Sequence, residues 1–295
     1  MSAKKKQKME NSGSNSQVSS LLCEETLIEE KQVTEQENER GEDDDDDGYG
    51  DDNNEMNYVQ LLIGNEIASG GLNDQEASEI INDNWIQEAR YHAIHYINRV
   101  SNQEPISTRQ GFRFGMQTMY TSVIYLDRFL ATRTINIGEY WAVRLLSMAC
   151  LSLAAKMDET KGNLPSLSQY PVNNYDINPI DITQMELLVL DVLNWDMSFV
   201  TPFSFTKYFV SRFCRQNSRN HSTRMKTVEI IMSVLRDVRL MNHRSSVIAA
   251  AATLLSLNKN LTREEMEIEI YALRLNGFLQ IDNVCYCYYK LLELN

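Results

Sequence analysis

Three small sets of residues in this 295-residue chain have types and spacings that could do chemistry. The first is Leu21, Cys23 and Glu25 within LLCEETLIEE. In an extended peptide alternate side chains fall on one side. Leu21 and Cys23 would then fill adjacent apolar hollows of a partner while the Glu25 carboxylate accepts backbone N–H bonds. The second set is Glu88, His92 and His95, which share one helix face at i, i+4 and i+7. Imidazoles and a carboxylate are metal-ligand types; a solvated helix face is the simpler account, and no metal is expected. The third is Cys285 and Cys287, a C-x-C pair. On a helix, residues two apart point to nearly opposite sides, which argues against chelation. The chain has no Walker loop, no G-x-S-x-G, no H-E-x-x-H and no kinase signature set. Gly70-Gly71 and the GFRFG stretch at 111–115 lack the strand that a phosphate cradle requires. No catalytic residue and no cofactor is expected.

These residues need elements to position them. Leu145–Glu159, LLSMACLSLAAKMDE, has the pattern of the end of one long buried helix. Bulk comes from Leu145, Met148, Leu151 and Leu153; Ser147, Ala149, Cys150, Ser152, Ala154 and Ala155 are small. A helix apolar or small nearly all round belongs inside a ring of other helices. Lys156 then surfaces beside the helix C-terminus, where its charge is favourable. Periodicity predicts a helix over 56–68 on Tyr58, Leu61, Leu62 and Ile67, ended by Gly70-Gly71. A helix starts near Asp83, with Trp85, Ala89, Ala93, Tyr96, Ile97 and Val100 at helical spacings. Helices follow over 110–131 and within 135–156, then a connector over 160–176. The helix over 178–195 has Asn178 as N-cap and Pro179 at the favoured first position, followed by an inward stripe of Ile182, Met185, Leu188, Val189 and Val192. From Thr201-Pro202 a second set runs near 202–213, 222–241, 244–258, 262–274 and 278–293, with Thr262 and Glu265 as a capping box. The fold class is all-α.

Charge separates the chain into two parts. Residues 1–55 hold seventeen acidic side chains against six basic, leaving 24 acids and 22 bases for residues 56–295. The leader has no periodic hydrophobicity and cannot bury enough apolar surface to offset its ordering entropy, so it is read as a disordered acidic leader. The near-neutral body argues against a whole-surface nucleic-acid binder, and no direct nucleic-acid contact is expected. Five cysteines, an odd number, fit a reducing compartment. No apolar run approaches the ~18 residues of a membrane span, so no membrane partner is expected. Lys4, Lys5, Lys6 and Lys8 could serve as a nuclear-import patch.

The wording of several segments resembles the cyclin box, and most of all the plant D-type cyclins. These segments are YLDRFL at 125–130, Leu145–Glu159 and QMELLVLDVLNW at 184–195. Further matches are LSQYP at 167–171, TPFSF at 201–205, LTREEM at 261–266 and NVCYCYYKLLEL at 283–294, which are similar to the fifth subgroup. The resemblance implies a cyclin fold of two consecutive five-helix repeats. Its organisation would be a leader over 1–55, an N-terminal helix and linker over 56–82, an N-terminal cyclin box over 83–198 and a C-terminal cyclin-like domain over 199–295. It also implies a regulatory subunit that binds and activates a cyclin-dependent kinase, of the plant A type, and promotes G1/S progression. Lys156 and Glu186 would grip the backbone around the kinase's regulatory helix. Arg90 and Asp127 would form a buried structural ion pair. Leu21, Cys23 and Glu25 spell the L-x-C-x-E motif that docks on retinoblastoma-related pocket proteins. Kinase-inhibitor proteins are further implied partners, and the implied location is the nucleus, with the cytoplasm second.

One departure bears on substrates. Many cyclins carry a docking patch on helix one with Met-Arg-Ala-Ile-Leu wording and a tryptophan further along. Here the equivalent residues are Ala89, His92, Ala93 and Tyr96 around Arg90. Plant D-type cyclins usually have an acidic residue and a tryptophan where His92 and Tyr96 stand. A smaller, more polar patch should hold a substrate leucine weakly, so recruitment of R-x-L substrates is expected to be weak or altered. The alternative function is a cyclin-fold scaffold in transcription or pocket-protein binding that activates no kinase.

Overall fold

A computed structural model describes residues 52–69, 72–102, 114–160, 164–171, 175–214, 220–275 and 277–295. Leu21, Cys23, Glu25 and the leader's lysines lie outside the described residues. Within them are twelve α-helices and no strand: α1 Asp52–Ser69, α2 Asp74–Asn82, α3 Asn84–Ser101, α4 Met116–Thr132, α5 Tyr140–Asp158, α6 Pro179–Val192, α7 Phe203–Phe213, α8 Asn220–Ser233, α9 Val238–Met241, α10 Ser245–Leu257, α11 Arg263–Ala272 and α12 Ile281–Leu294. Several starts are written as caps. Asp83 accepts the Trp85 and Ile86 N–H groups at 2.8 and 3.1 Å. Asn178 accepts those of Ile180 and Asp181, and Asp181 reaches back to the Asn178 N–H at 2.9 Å. Thr262 and Glu265 form the expected box.

In the first repeat α3, α4 and α6 pack around α5, with a 3-10 turn at Leu167–Gln169 between α5 and α6. Every residue of α5 from Ala142 to Ala155 is buried except Arg144. The alternation of bulk and small residues lets three neighbours approach at once. The second repeat repeats the plan: α7, α8 and α12 surround α10, whose residues Ser246–Leu255 are all buried.

Four features differ from the reading of the sequence. Residues 72–82 are more than a linker, because Asn73 and Glu76 form a capping box that opens α2. The helix expected over 222–241 is broken. Val234–Arg236 turns as a 3-10 helix, and Asp237 is extended and caps α9 through the Arg239 N–H at 2.9 Å. The closing helix of the first repeat stops at Val192, and Asn194 and Trp195 both take positive φ. Finally, α1 starts at Asp52, inside the span assigned to the leader, and buries Val59 and Ile63 while Tyr58, Leu61 and Ile67 face out. Apolar residues on several sides of α1 leave its periodicity without a unique face.

The orientation of α1 follows from an acid. Glu66 is buried, and its carboxylate accepts the Ser246 N–H and the Ser246 hydroxyl, each at 2.7 Å. The residue before α10 is Arg244, which gives no side-chain cap. Glu66 therefore supplies the missing cap from another helix, at the positive end of the α10 dipole. Burial pushes its carboxyl above the usual range against those hydrogen bonds. Glu66→Ala should cost about 1.5–3 kcal/mol, the scale of hydrogen bonds to a charged group, read as a lower urea midpoint at unchanged slope.

Candidate partner-docking site

The exposed end of α5 is held in place by its own acids. Glu159 Oε1 accepts the Gly115 N–H at 2.8 Å and the Thr118 hydroxyl at 2.7 Å. Gly115 has no side chain to cap α4, so Glu159 does it and locks the end of α5 to the start of α4. Gln117 donates to Asp158 at 3.3 Å beside it. With α6 aligned by its Asn178 cap, Lys156 and Glu186 meet. Lys156 Nζ donates to both Glu186 oxygens, at 2.6 and 2.7 Å. The Lys156 side chain is 45% exposed and that of Glu186 only 7%. The pair is thus a lysine facing solvent over an inward carboxylate. Only two of three ammonium donors lie on Glu186, and each carboxylate oxygen keeps a further lone pair.

Apolar side chains flank this pair. Met157 on α5 and Ile180, Leu187 and Leu188 on α6 are all exposed, Ile180 at 68%. Ile180, Leu187 and Leu188 lie at i, i+7 and i+8, on one stripe of α6. Clustered apolar exposure beside a charged pair marks an interaction surface. Reading the sequence missed Met157, Ile180 and Leu187, and placed Leu188 in the core stripe. Isoleucine at the second position of a capped helix and a Leu-Leu pair beyond the core-facing set were the available signals.

Arg90 and Asp127 are also brought together, deep inside. Arg90 Nε and Nη2 donate to the two Asp127 oxygens at 2.7 and 3.0 Å. Burial raises the Asp127 carboxyl while the guanidinium pulls it back. Arg90 does more than join α3 to α4: its Nη1 donates to the Leu235 carbonyl at 2.9 Å, so it also ties the first repeat to the second.

The helix-one patch is largely absent as a surface. Ala89, Ala93 and Tyr96 are buried against the core, and of the four expected residues His92 alone is exposed. The reason is register: Ala89, Ala93 and Tyr96 share the inward stripe with Trp85 and Ile97. His92 Nε2 lies 3.8 Å from Glu88, and His95 makes a ring contact with Tyr91. No group of three His, Cys, Asp or Glu that could hold a metal occurs among the described residues. Cys285 and Cys287 are both buried, and burial pushes the Cys287 thiol up to about 12. No described helix is long and apolar enough to cross a membrane.

Comparison with known proteins adds the family. The cyclin N-terminal domain matches residues 81–198 and the cyclin C-terminal domain residues 200–293. Cyclin-D5-1 of Arabidopsis thaliana is 34% identical over 202 residues, covering 64% of this chain and 61% of that one. Cyclin-D5-2 of Oryza sativa subsp. japonica is 32% identical over 218 residues, 69% of this chain and 57% of its own. Cyclin-D2-2 of the same rice is 38% identical over 149 residues, 50% and 42%. The chain thus spans about half the length of these relatives. A viral cyclin from herpesvirus saimiri superposes with a TM-score of 0.60 at 13% identity, over 81% of this chain and 95% of that one, which speaks for the fold alone. Two helical repeats, each matched by its own cyclin domain, and plant D-type relatives that include the fifth subgroup place this chain in the cyclin family.

Proposed function

We propose that this chain is a regulatory subunit that binds and activates a cyclin-dependent kinase of the plant A type and directs it to a retinoblastoma-related protein at G1/S, in the nucleus. The observation that carries the reading is the Lys156–Glu186 pair set among exposed Met157, Ile180, Leu187 and Leu188. Lys156 has a donor left for a backbone carbonyl of the partner, and Glu186 has lone pairs left for a backbone N–H. The apolar stripe supplies the area that two hydrogen bonds alone would lack. A kinase is competent when its β3 lysine pairs with the glutamate of the regulatory helix. A subunit that binds only the inward position of that helix shifts the population toward the competent state. No chemistry on the cyclin side is needed.

Co-purification with an A-type kinase, followed by phosphorylation of the retinoblastoma-related protein, tests this reading. Leu21, Cys23 and Glu25 would recruit that substrate. Cys23→Gly should lower its phosphorylation at least tenfold while a generic histone substrate is phosphorylated as before. Equal loss on both substrates would assign Cys23 to the kinase complex instead. A chain that neither binds nor activates the kinase would move the function to a scaffold.

A further inference from the structure

The face of α3 that looks toward α5 and Tyr175 carries a feature that kinase activation does not use. A cavity of about 300 Å³ opens there, lined by His92, Tyr140, Val143, Arg144, Ser147 and Tyr175. Arg144 is the one residue between Ala142 and Ala155 of α5 that escapes burial. Its guanidinium carbon sits over the Tyr96 ring, 4.0 Å from the ring centroid. A ring contact of this kind engages the cation without using its N–H donors. Nη1 is buried and has no hydrogen-bond partner. Burial lowers the Arg144 pKa; Tyr96 opposes that shift, the like charge of Arg99 adds to it and Tyr175 opposes it.

Arg99, exposed on α3 outside the residues that line the cavity, is close enough for its charge to be felt by both Arg144 and Tyr96. His92, His95 and Arg99 follow one another at i, i+3 and i+7 along the exposed stripe of α3. Among the described residues neither arginine is in an ion pair. An acid, Glu88, stands at one end of the stripe, and it is engaged by the Tyr140 hydroxyl at 2.6 Å. The body of the chain is nearly neutral, so this is a local positive groove rather than part of a general field. The Tyr140 ring, edge-on to His92 at 5.1 Å, gives the groove an apolar wall, and exposed Tyr91 packs against His92 at 5.7 Å.

We propose that this groove docks a phosphorylated serine- or threonine-containing segment of a partner protein, its phosphate held by the edge of Arg144 and by Arg99. A guanidinium fork matches the oxygens of a phosphate, and charge-assisted bonds of this kind are the strong ones. A dianion uses both arginines, where a single carboxylate is satisfied by one. An arginine-bearing docking peptide meets two like charges here, which turns the weak R-x-L recruitment expected from the sequence into rejection. The proposal concerns the chain by itself and stands apart from kinase binding.

The test is fluorescence anisotropy on the full chain at physiological salt. The probes are a library of labelled phosphoserine peptides with degenerate flanks, the same library unphosphorylated, its glutamate counterpart, an R-x-L peptide and a single-stranded oligonucleotide. Phosphopeptides should bind at least tenfold more tightly than either counterpart. Arg99→Glu, a surface change that leaves folding intact, should cost at least tenfold. Arg144→Ala should abolish binding, with circular dichroism checking that Tyr96 still packs. Lys156→Ala/Glu186→Ala should bind as the parent does. Equal binding of the unphosphorylated or glutamate library, tighter binding of the oligonucleotide, indifference to Arg99→Glu, or no phosphopeptide binding would each overturn the proposal.

Discussion

Asp127→Ala should destabilise the chain by about 3–5 kcal/mol, because it strands a buried guanidinium. The Arg90 and Asp127 side chains are 7% and 2% exposed, so water cannot replace the lost carboxylate. For a folded body of this size that loss lowers the melting temperature by roughly 6–20 °C. The break also spreads. Arg90 holds the Leu235 carbonyl with Nη1, so a guanidinium that swings toward solvent takes a tie between the repeats with it. Asp127→Asn keeps the shape and one acceptor and should cost less than Asp127→Ala. Arg90→Met/Asp127→Leu removes both charges and should recover much of the stability, because a buried ion pair is often matched by well-packed apolar residues. Urea denaturation of the parent and the three variants decides. A double variant as unstable as Asp127→Ala alone would show that the hydrogen bond to Leu235, and not the charge balance, carries the site.

Much of this architecture was legible because it rests on local rules. The buried central helix follows from small residues alternating with Leu and Met over 145–155, and the start of α6 from Asn178 and Pro179. Arg90, Asp127, Lys156 and Glu186 were named from their wording, which also paired Arg90 with Asp127, yet nothing in it says that Lys156 and Glu186 meet each other. That Arg90 has a second partner 145 residues away, or that Glu159 caps α4 and Glu66 caps α10, depends on how helices far apart in sequence are brought together. Periodicity also failed where apolar residues serve two masters. In α6 the buried Ile182 and Val189 and the exposed Ile180, Leu187 and Leu188 are all aliphatic, so an outward stripe reads as part of the inward one. In α1 a glutamate occupies a core position, which hydrophobic counting cannot anticipate. The helix-one patch was misplaced for a related reason. Homologous wording marked Ala89, Ala93 and Tyr96, while the register that buries them was already visible in the spacing of Trp85 and Ile97.

Exchanging the charges in Lys156→Glu/Glu186→Lys should leave the chain folded and abolish kinase activation. Each single change fails in a way that does not discriminate. Lys156→Ala strands the inward Glu186 carboxylate, and Glu186→Ala frees a lysine that was held on both oxygens. Either would lower kinase binding whether the pair acts on the kinase or merely orders α5 against α6. The exchange separates the two. A salt bridge has no polarity of its own, so an intramolecular pair survives reversal, at a cost set by placing the longer lysine where Glu186 is 7% exposed. A peptide backbone does have polarity: its carbonyls need a donor and its N–H groups an acceptor. With donor and acceptor interchanged, each faces the wrong backbone group, and the lost contacts should cost about 2–5 kcal/mol of affinity, some thirtyfold to several thousandfold. The readouts are a melting temperature close to the parent's and loss of co-purification and activation. Restored activation in the exchanged variant would make the pair a structural clasp and shift the docking surface onto the apolar residues Met157, Ile180 and Leu187. Alanine at those three would then have to carry the loss. In the reading proposed here they deepen it, because the apolar stripe supplies area and the charged pair supplies register.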